Sequence, residues 1–362
     1  MKEKECGNSQ DSLNSKRKFL APELVPIADI LKSREFRPGS WPFNDPLIQT
    51  AAGLFLPKFI AEKNGMVIKR EFLTVAENVE IALDYWLHQK PENHPTVVII
   101  HGLVASGGSP FPVGIADKAI YYGFNAVRVN LRSAGDTGSH SKTLYHAGLS
   151  EDVKKVLEEI DNKELAGKVY IAGFSLGGNM VLKGIGEMGE QAKERIGGIA
   201  VMSSVVNMED QNINHRYEGF ILRRMKDAVR SKAKTDPQDW DTSVLKHMKT
   251  IHDWESHYQV GEGPTKWGFG SIEEYYKEAS ALPYVGQISV PALMIHAKDD
   301  PIVPASPLGS EQIVGNPNII VMLTKHGGHG GFVNAIRRGE DLDIHWGQNR
   351  VIQFFRLLQL SI

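Results

Sequence analysis

From Val67 onward the chain repeats one pattern: a short apolar run, a longer segment with helical spacing, then another short apolar run. The runs Val97–Ile100, Ala126–Val129, Val169–Ala172, Ile199–Met202, Ala292–Ile295 and Ile319–Leu323 are each four or five residues long. Strands covered by helices on both faces read this way, because neither face needs polar residues. The clearest helical stretch is Ser150–Ile160. Ser150 is placed to cap it, Glu151 and Asp152 suit its positive first turn, and Val153, Val156, Leu157 and Ile160 form one stripe. Ahead of the alternation, Val67–Val75 and Val79–Leu87 flank a turn at Glu77-Asn78 and read as an antiparallel pair. The expected fold is α/β: a mostly parallel central sheet with helices on both faces.

One interval breaks the rhythm. Between Met202 and Ala292 lie about 90 residues, far more than an ordinary crossover, and they include Tyr217, Phe220, Trp240, Trp254, Tyr258, Trp267, Phe269, Tyr275 and Tyr276. An inserted helical cap at about 205–285 is expected, within one domain spanning 21–362. Sites in open parallel sheets lie at the strands' carboxyl ends, where such an insertion can cover them. Residues 1–20 are polar and mixed in charge and read as a disordered tail.

Bulk properties exclude several roles. The formal net charge is -2, which gives no footprint for nucleic acid. The single cysteine, Cys6, rules out an internal disulfide framework. With no signal-peptide pattern, a cytoplasmic setting is expected. No segment has the length and apolarity of a membrane anchor. Leu47–Ile60, interrupted by Gln49, Pro57 and Lys58, is the nearest approach and leaves weak surface association open.

Gly173-Phe174-Ser175-Leu176-Gly177 is the one G-x-S-x-G in the chain. It follows a strand and precedes a helical stretch, which is the setting of the nucleophile elbow of the α/β-hydrolase fold. Such a turn exposes the serine hydroxyl at a helix N-terminus, where developing negative charge is favoured. Ser175 is therefore the expected nucleophile. In this fold the oxyanion is held by two backbone N–H groups, one after the first parallel strand and one after the nucleophile. Those positions are Leu103, in His101-Gly102-Leu103, and Leu176. His101 itself is read as a loop-fixing imidazole. Two histidines follow the last strand, and His329, between glycine pairs, is favoured over His326 as the base. Two carboxylates follow the strand before it, and Asp300, ahead of Pro301-Ile302-Val303, is favoured over Asp299 as the acid. The order Ser175, Asp300, His329 is that of the fold.

The chain also resembles the YheT-like α/β-hydrolases, the branch of abhydrolase-domain esterases and lipases. The resemblance rests on Asn44-Asp45-Pro46-Leu47-Ile48-Gln49-Thr50, His101-Gly102-Leu103, Tyr145-His146-Ala147-Gly148 and Gly173 to Met180. It continues through Glu274-Tyr275-Tyr276, Ala279-Ser280, Asp299-Asp300-Pro301 and Gly327 to Phe332, so that it spans about residues 40–358. It implies a serine-dependent carboxylesterase of lipid metabolism, acting on small-molecule or lipid esters without cofactor or metal. The cap residues Phe220, Met225, Met248, Trp254, Trp267 and Tyr276 are candidates to line an acyl channel, and medium-chain fatty-acyl esters are the expected substrates. Two alternatives stand beside this: an acyltransferase passing the acyl group to an alcohol, and a non-catalytic ligand-binding homologue. Two departures from the family pattern are Arg132-Ser133, where Arg-Gly is usual, and His146 followed by Glu151 instead of an acyltransferase-type His-x4-Asp. The sequence leaves the oligomeric state open.

Overall fold

The six apolar runs and the antiparallel pair form one eight-stranded sheet in the computed structural model, which describes residues 20–361 except 164, 166, 211, 212, 214 and 264. The expected tail lies outside the described residues up to position 19. The strands are β1 (Val67–Ala76), β2 (Val79–Leu87), β3 (Thr96–Ile100), β4 (Asn125–Asn130), β5 (Val169–Phe174), β6 (Ile196–Met202), β7 (Ala292–Ala297) and β8 (Ile319–Thr324). Their order is β1-β2-β4-β3-β5-β6-β7-β8. β1, β2 and β4 pair antiparallel in succession, and every other pairing is parallel. Asn78 takes the β1–β2 turn at φ 56°, a left-handed conformation that asparagine tolerates.

The helices that matter for the site are α1 (Leu24–Ser33), α2 (Pro46–Phe55), α3 (Pro110–Tyr121), α4 (Ser150–Asn162), α5 (Leu176–Met188), α6 (His215–Thr235), α7 (Ile251–Tyr258), α8 (Ile272–Ala279) and α9 (Trp346–Leu360). Side chains of β3 alternate between two apolar cores, Val98 and Ile100 in one, Val97 and Ile99 in the other. Both faces of the sheet are therefore covered. α4 keeps its apolar stripe, but Ser150 is its first helical residue and not its cap. The Ser150 hydroxyl donates instead to Glu187 on α5, at 2.8 Å. Among the described residues no helix is long and apolar enough to cross a membrane.

The chain direction reverses its placement in the sheet between β3 and β5: β4 lies on one side of β3 and β5 on the other, with Ile100 level with Gly173. The carboxyl ends of these two neighbours form the crevice where open α/β sheets bind ligands. The long interval after β6 divides in two. Its first part builds a small core of its own, with Leu222, Met225, Val229, Trp240, Leu245, Met248, Ile251, Trp254 and Tyr258 around Leu144. Its second part, from Ile272, packs Tyr275, Ala279, Ala281 and Val285 into the main core beside α5. Tyr275 and Ala279 of α8, within the expected 205–285 interval, thus pack into the main core and not into the separate one. At Arg132-Ser133 the backbone keeps the turn that glycine would favour, with Ser133 at φ 56°. Its hydroxyl donates to the Thr143 carbonyl at 2.9 Å, and Arg132 forms a buried two-pronged pair with Asp152 at 2.7 and 2.6 Å.

Candidate active site

The β5–α5 junction leaves no room for side chains beside the serine. A Cβ on Gly173 would lie 2.7 Å from the Gly178 Cα, and one on Gly177 would overlap the His101 carbonyl oxygen. The crossing is tight enough to force Ser175 to φ 52°, ψ −122°, a region non-glycine residues rarely occupy. The Ser175 N–H donates to the Met202 carbonyl at 3.1 Å. Its hydroxyl points to His329 Nε2, 3.0 Å away. His329 Nδ1 in turn lies 2.9 Å from Asp300 Oδ2. The Asp300 side chain is fully buried, and its Oδ1 accepts the N–H groups of Ile302 and Val303 at 2.9 and 3.0 Å. Burial opposes ionisation of Asp300, but the adjacent His329, then His296 and the Val303 N–H, outweigh it and hold the carboxyl below its ordinary range.

The neighbouring histidine and aspartate do something else. Asp299 Oδ2 lies 3.2 Å from His326 Nδ1, and Asp299 Oδ1 accepts the Gly328 N–H at 3.0 Å. His326 is not among the residues that line the cavity beside Ser175; with Asp299 it shapes the loop that carries His329. Leu103 follows β3 and Leu176 opens α5, and both border the same cavity as Ser175 and His329. The Leu176 N–H, at the first position of a helix, has no intrahelical acceptor.

A strand-end serine, a histidine and a buried carboxylate share one crevice of a mostly parallel sheet. The family description "alpha/beta hydrolase fold" matches residues 95–335. The chain belongs to the α/β-hydrolase family. Within that family its relatives are of the YheT-like branch. YheT of Escherichia coli (strain K12), whose name provisionally calls it an esterase, is 25% identical over 67% of this chain and 72% of its own. The monoacylglycerol lipase of Saccharomyces cerevisiae is 28% identical over 66% of this chain and 55% of its own length. The phospholipase ABHD3 of Homo sapiens is 20% identical over 78% and 70%.

The cavity beside Ser175 holds about 310 Å³. Its floor comes from strand-end loops, with Leu103, Val104, Phe174 and Val205, and its roof from α6 and α7, with Tyr217, Phe220, Ile221, Ile251 and Glu255. Of the six cap residues expected to line it, Phe220 does. Met225, Met248 and Trp254 are buried in the separate core behind the roof. Trp267 packs on the main core and donates its indole N–H to the Leu144 carbonyl at 3.1 Å, while the Tyr276 hydroxyl donates to Glu255 at 2.8 Å. The reason is helical phase: on α6 residues 222, 225 and 229 share the inward face, whereas 217, 220, 221 and 224 share the face towards Ser175.

His101 fixes the loop after β3. Its Nε2 accepts the Leu131 N–H at 3.2 Å, which leaves the ring proton on Nδ1 to donate to the Gly102 carbonyl at 2.8 Å. Complete burial lowers it to about 4, so it stays neutral. His146 is buried against Trp267, Phe269 and Tyr275 and is not among the cavity's lining residues. Among the described residues no three His, Cys, Asp or Glu side chains group as metal ligands.

Sequence patterns did not reveal what holds the His329 loop. The His329 N–H donates to the Thr50 hydroxyl oxygen at 2.9 Å, and that hydroxyl donates onward to the Pro46 carbonyl at 2.7 Å. The Gln49 amide spans Val333, accepting from its N–H at 2.8 Å and donating to its carbonyl at 3.0 Å. The Gly330 N–H donates to Ser203 at 3.0 Å. The signal was the Asn44–Thr50 segment, conspicuous in the resemblance but carrying no chemistry of its own. Glu255 was also missed. It is 4% exposed, and burial, partly opposed by the Tyr276 hydroxyl, raises its carboxyl to about 7.

Two outcomes follow from these contacts. Thr50→Val keeps the side chain's shape but leaves the His329 N–H without its acceptor. It should slow fluorophosphonate labelling of Ser175 by about tenfold and cost about 1–3 kcal/mol of stability; lost stability with full labelling rate would make Thr50 merely structural. For Glu255 the folded state binds the proton more tightly than the unfolded one. Its stabilising contribution is complete below its ordinary value of 4.5 and disappears as pH rises to about 7. Glu255→Gln escapes that loss, so its stability relative to wild type should improve between pH 5 and pH 8, by on the order of 3 kcal/mol at most. Denaturant unfolding at the two pH values checks this, and a constant offset would contradict it.

Proposed function

We propose that this protein is a serine hydrolase that cleaves carboxylic esters, with medium-chain fatty-acyl esters as its substrates. The observation that carries the reading is the hydrogen-bonded chain from Ser175 through His329 to a buried, ionised Asp300, opening on a largely apolar cavity. His329 takes the Ser175 proton as the Oγ–C bond forms. The N–H groups of Leu103 and Leu176 receive the developing oxyanion. Collapse expels the alcohol, which takes the proton from His329 and leaves Ser175 acylated. Water, deprotonated by the same imidazole, then releases the acid and restores the hydroxyl. The names of the yeast and human relatives, a monoacylglycerol lipase and a phospholipase, support lipid esters as the substrate class.

A fluorophosphonate should label wild type and fail on Ser175→Ala. His329→Ala and Asp300→Asn should lower kcat by about a thousandfold or more, whereas Asp299→Asn and His326→Ala should lose at most about tenfold. An inert Asp299→Asn beside a healthy Asp300→Asn would reassign the acid.

The acyl preference has its own test. Each methylene entering a dry apolar cavity contributes about 0.8 kcal/mol, roughly fourfold in binding. Across p-nitrophenyl esters, kcat/KM should climb from acetate to a maximum at medium chains and then decline as the chain outgrows the cavity. A steady fall from acetate onward would reject the acyl channel while leaving the triad reading intact.

A further inference from the structure

The roof of the cavity contains one feature that ester hydrolysis alone does not require. Glu255 lies one helical turn after Ile251 on α7, and both side chains border the cavity. Oε2 of Glu255 accepts the Tyr276 hydroxyl at 2.8 Å. A carboxylate has room for about four such donors. Among the described residues no cation is paired with it; burial and the Tyr276 hydroxyl dominate its ionisation. Among the described residues the cavity is also lined by Asp210, which accepts the Ser306 hydroxyl at 2.8 Å, and Arg224. A nearly buried carboxyl with one neutral partner is costly to maintain, unless the ligand that fills the cavity supplies further donors.

We propose that Glu255 determines specificity by accepting a hydrogen bond from a substrate hydroxyl, so that the cavity selects fatty-acyl esters bearing a free hydroxyl over their deoxy counterparts. The inference rests on the ester-hydrolase reading of Ser175. A hydroxyl fits this position better than an ammonium group. Its desolvation on entering an apolar cavity costs far less. The hydroxyl belongs either to the alcohol part, as in a partial ester of a polyol, or to the far end of the acyl chain.

Two matched ester pairs separate these sources: 2-hydroxyethyl octanoate against propyl octanoate, and p-nitrophenyl 8-hydroxyoctanoate against p-nitrophenyl nonanoate. At pH 8, where Glu255 is mostly ionised, the hydroxylated ester of one pair should be favoured by about tenfold or more in kcat/KM, the size expected for a hydrogen bond to a charged group. Glu255→Leu should bring that ratio to about one, and Glu255→Gln should lower it. Tyr276→Phe should keep it or raise it, because the substitution frees an acceptor on Glu255. If Glu255 only anchors Tyr276, Tyr276→Phe will instead abolish the ratio. That result overturns the proposal, as do ratios near one in both wild-type pairs, a ratio unchanged in Glu255→Leu, or stronger preference for a choline ester. Should Glu255→Leu fail to fold, the Gln and Tyr276→Phe variants decide. Calorimetric binding of the same four esters to Ser175→Ala reads the Glu255 contact without turnover. A hydrolytically active Ser175→Ala would defeat the ester-hydrolase reading, and equal affinity for both members of each pair would defeat the hydroxyl contact.

Discussion

The conformation of Ser175 is the constraint around which the site is arranged. Holding a non-glycine residue at φ 52°, ψ −122° costs about 1–3 kcal/mol and persists only where the surroundings over-determine it. Here they do. The Ser175 N–H is tied to β6 through Met202, and its carbonyl receives the N–H groups of Gly178 and Asn179 in the first turn of α5. Gly173 and Gly177 let β5, α5 and the end of β3 approach to distances no side chain would permit. The same crowding sets Ser175 beside the His101–Leu103 loop, because β3 and β5 are neighbours in the sheet. One strained turn thus fixes the hydroxyl, the head of α5 and the loop opposite in a single relation.

The histidine side of the site solves a different problem. Gly327, Gly328 and Gly330 all have positive φ, so the loop after β8 is not held by its own local preferences. Its position is set from outside, by Asp299 after β7, Ser203 after β6, and Thr50 and Gln49 on α2. α2 precedes the whole sheet in sequence. Its helical start is secured by Asp45, whose carboxylate accepts the N–H groups of Leu47 and Ile48 and suits the positive helix end.

This division explains what could be read from the sequence. The strands were legible because burial on both faces leaves a continuous apolar run, and the loops that carry Ser175, Asp300 and His329 because each begins where such a strand ends. The supports at Gln49 and Thr50 were not, since a hydrogen bond spanning some 280 residues leaves no local periodicity. The cap lining was misjudged for a related reason. Aromatic and methionine content marks a segment as apolar without saying which apolar face looks outward, and α6 has two: Leu222, Met225 and Val229 close its own core, while Phe220 and Ile221 roof the cavity. Ser150 misled because a serine ahead of an apolar stripe reads as a cap, whereas its hydroxyl had a carboxylate on α5 available. Glu255 was hidden among polar neighbours, in a helix whose exposed face is acidic and histidine-rich.

The two cores meet at the loop after β3. Leu103 packs against both the main core and the cap core, and Val104, at φ 52°, against the cap core. The cavity lies along this seam, so an acyl chain that fills it presses on the loop whose N–H is proposed to receive the oxyanion. Under the proposed chemistry, apolar contacts made far from the ester carbonyl are therefore mechanically close to one of the groups that must meet the transition state. Binding energy of that kind raises kcat only if it is realised more fully as charge develops. A loop held from one side by His101 and Tyr145 and from the other by the cap core is arranged for that: an acyl chain that fills the cavity adds to the packing already on Leu103, and a short one does not.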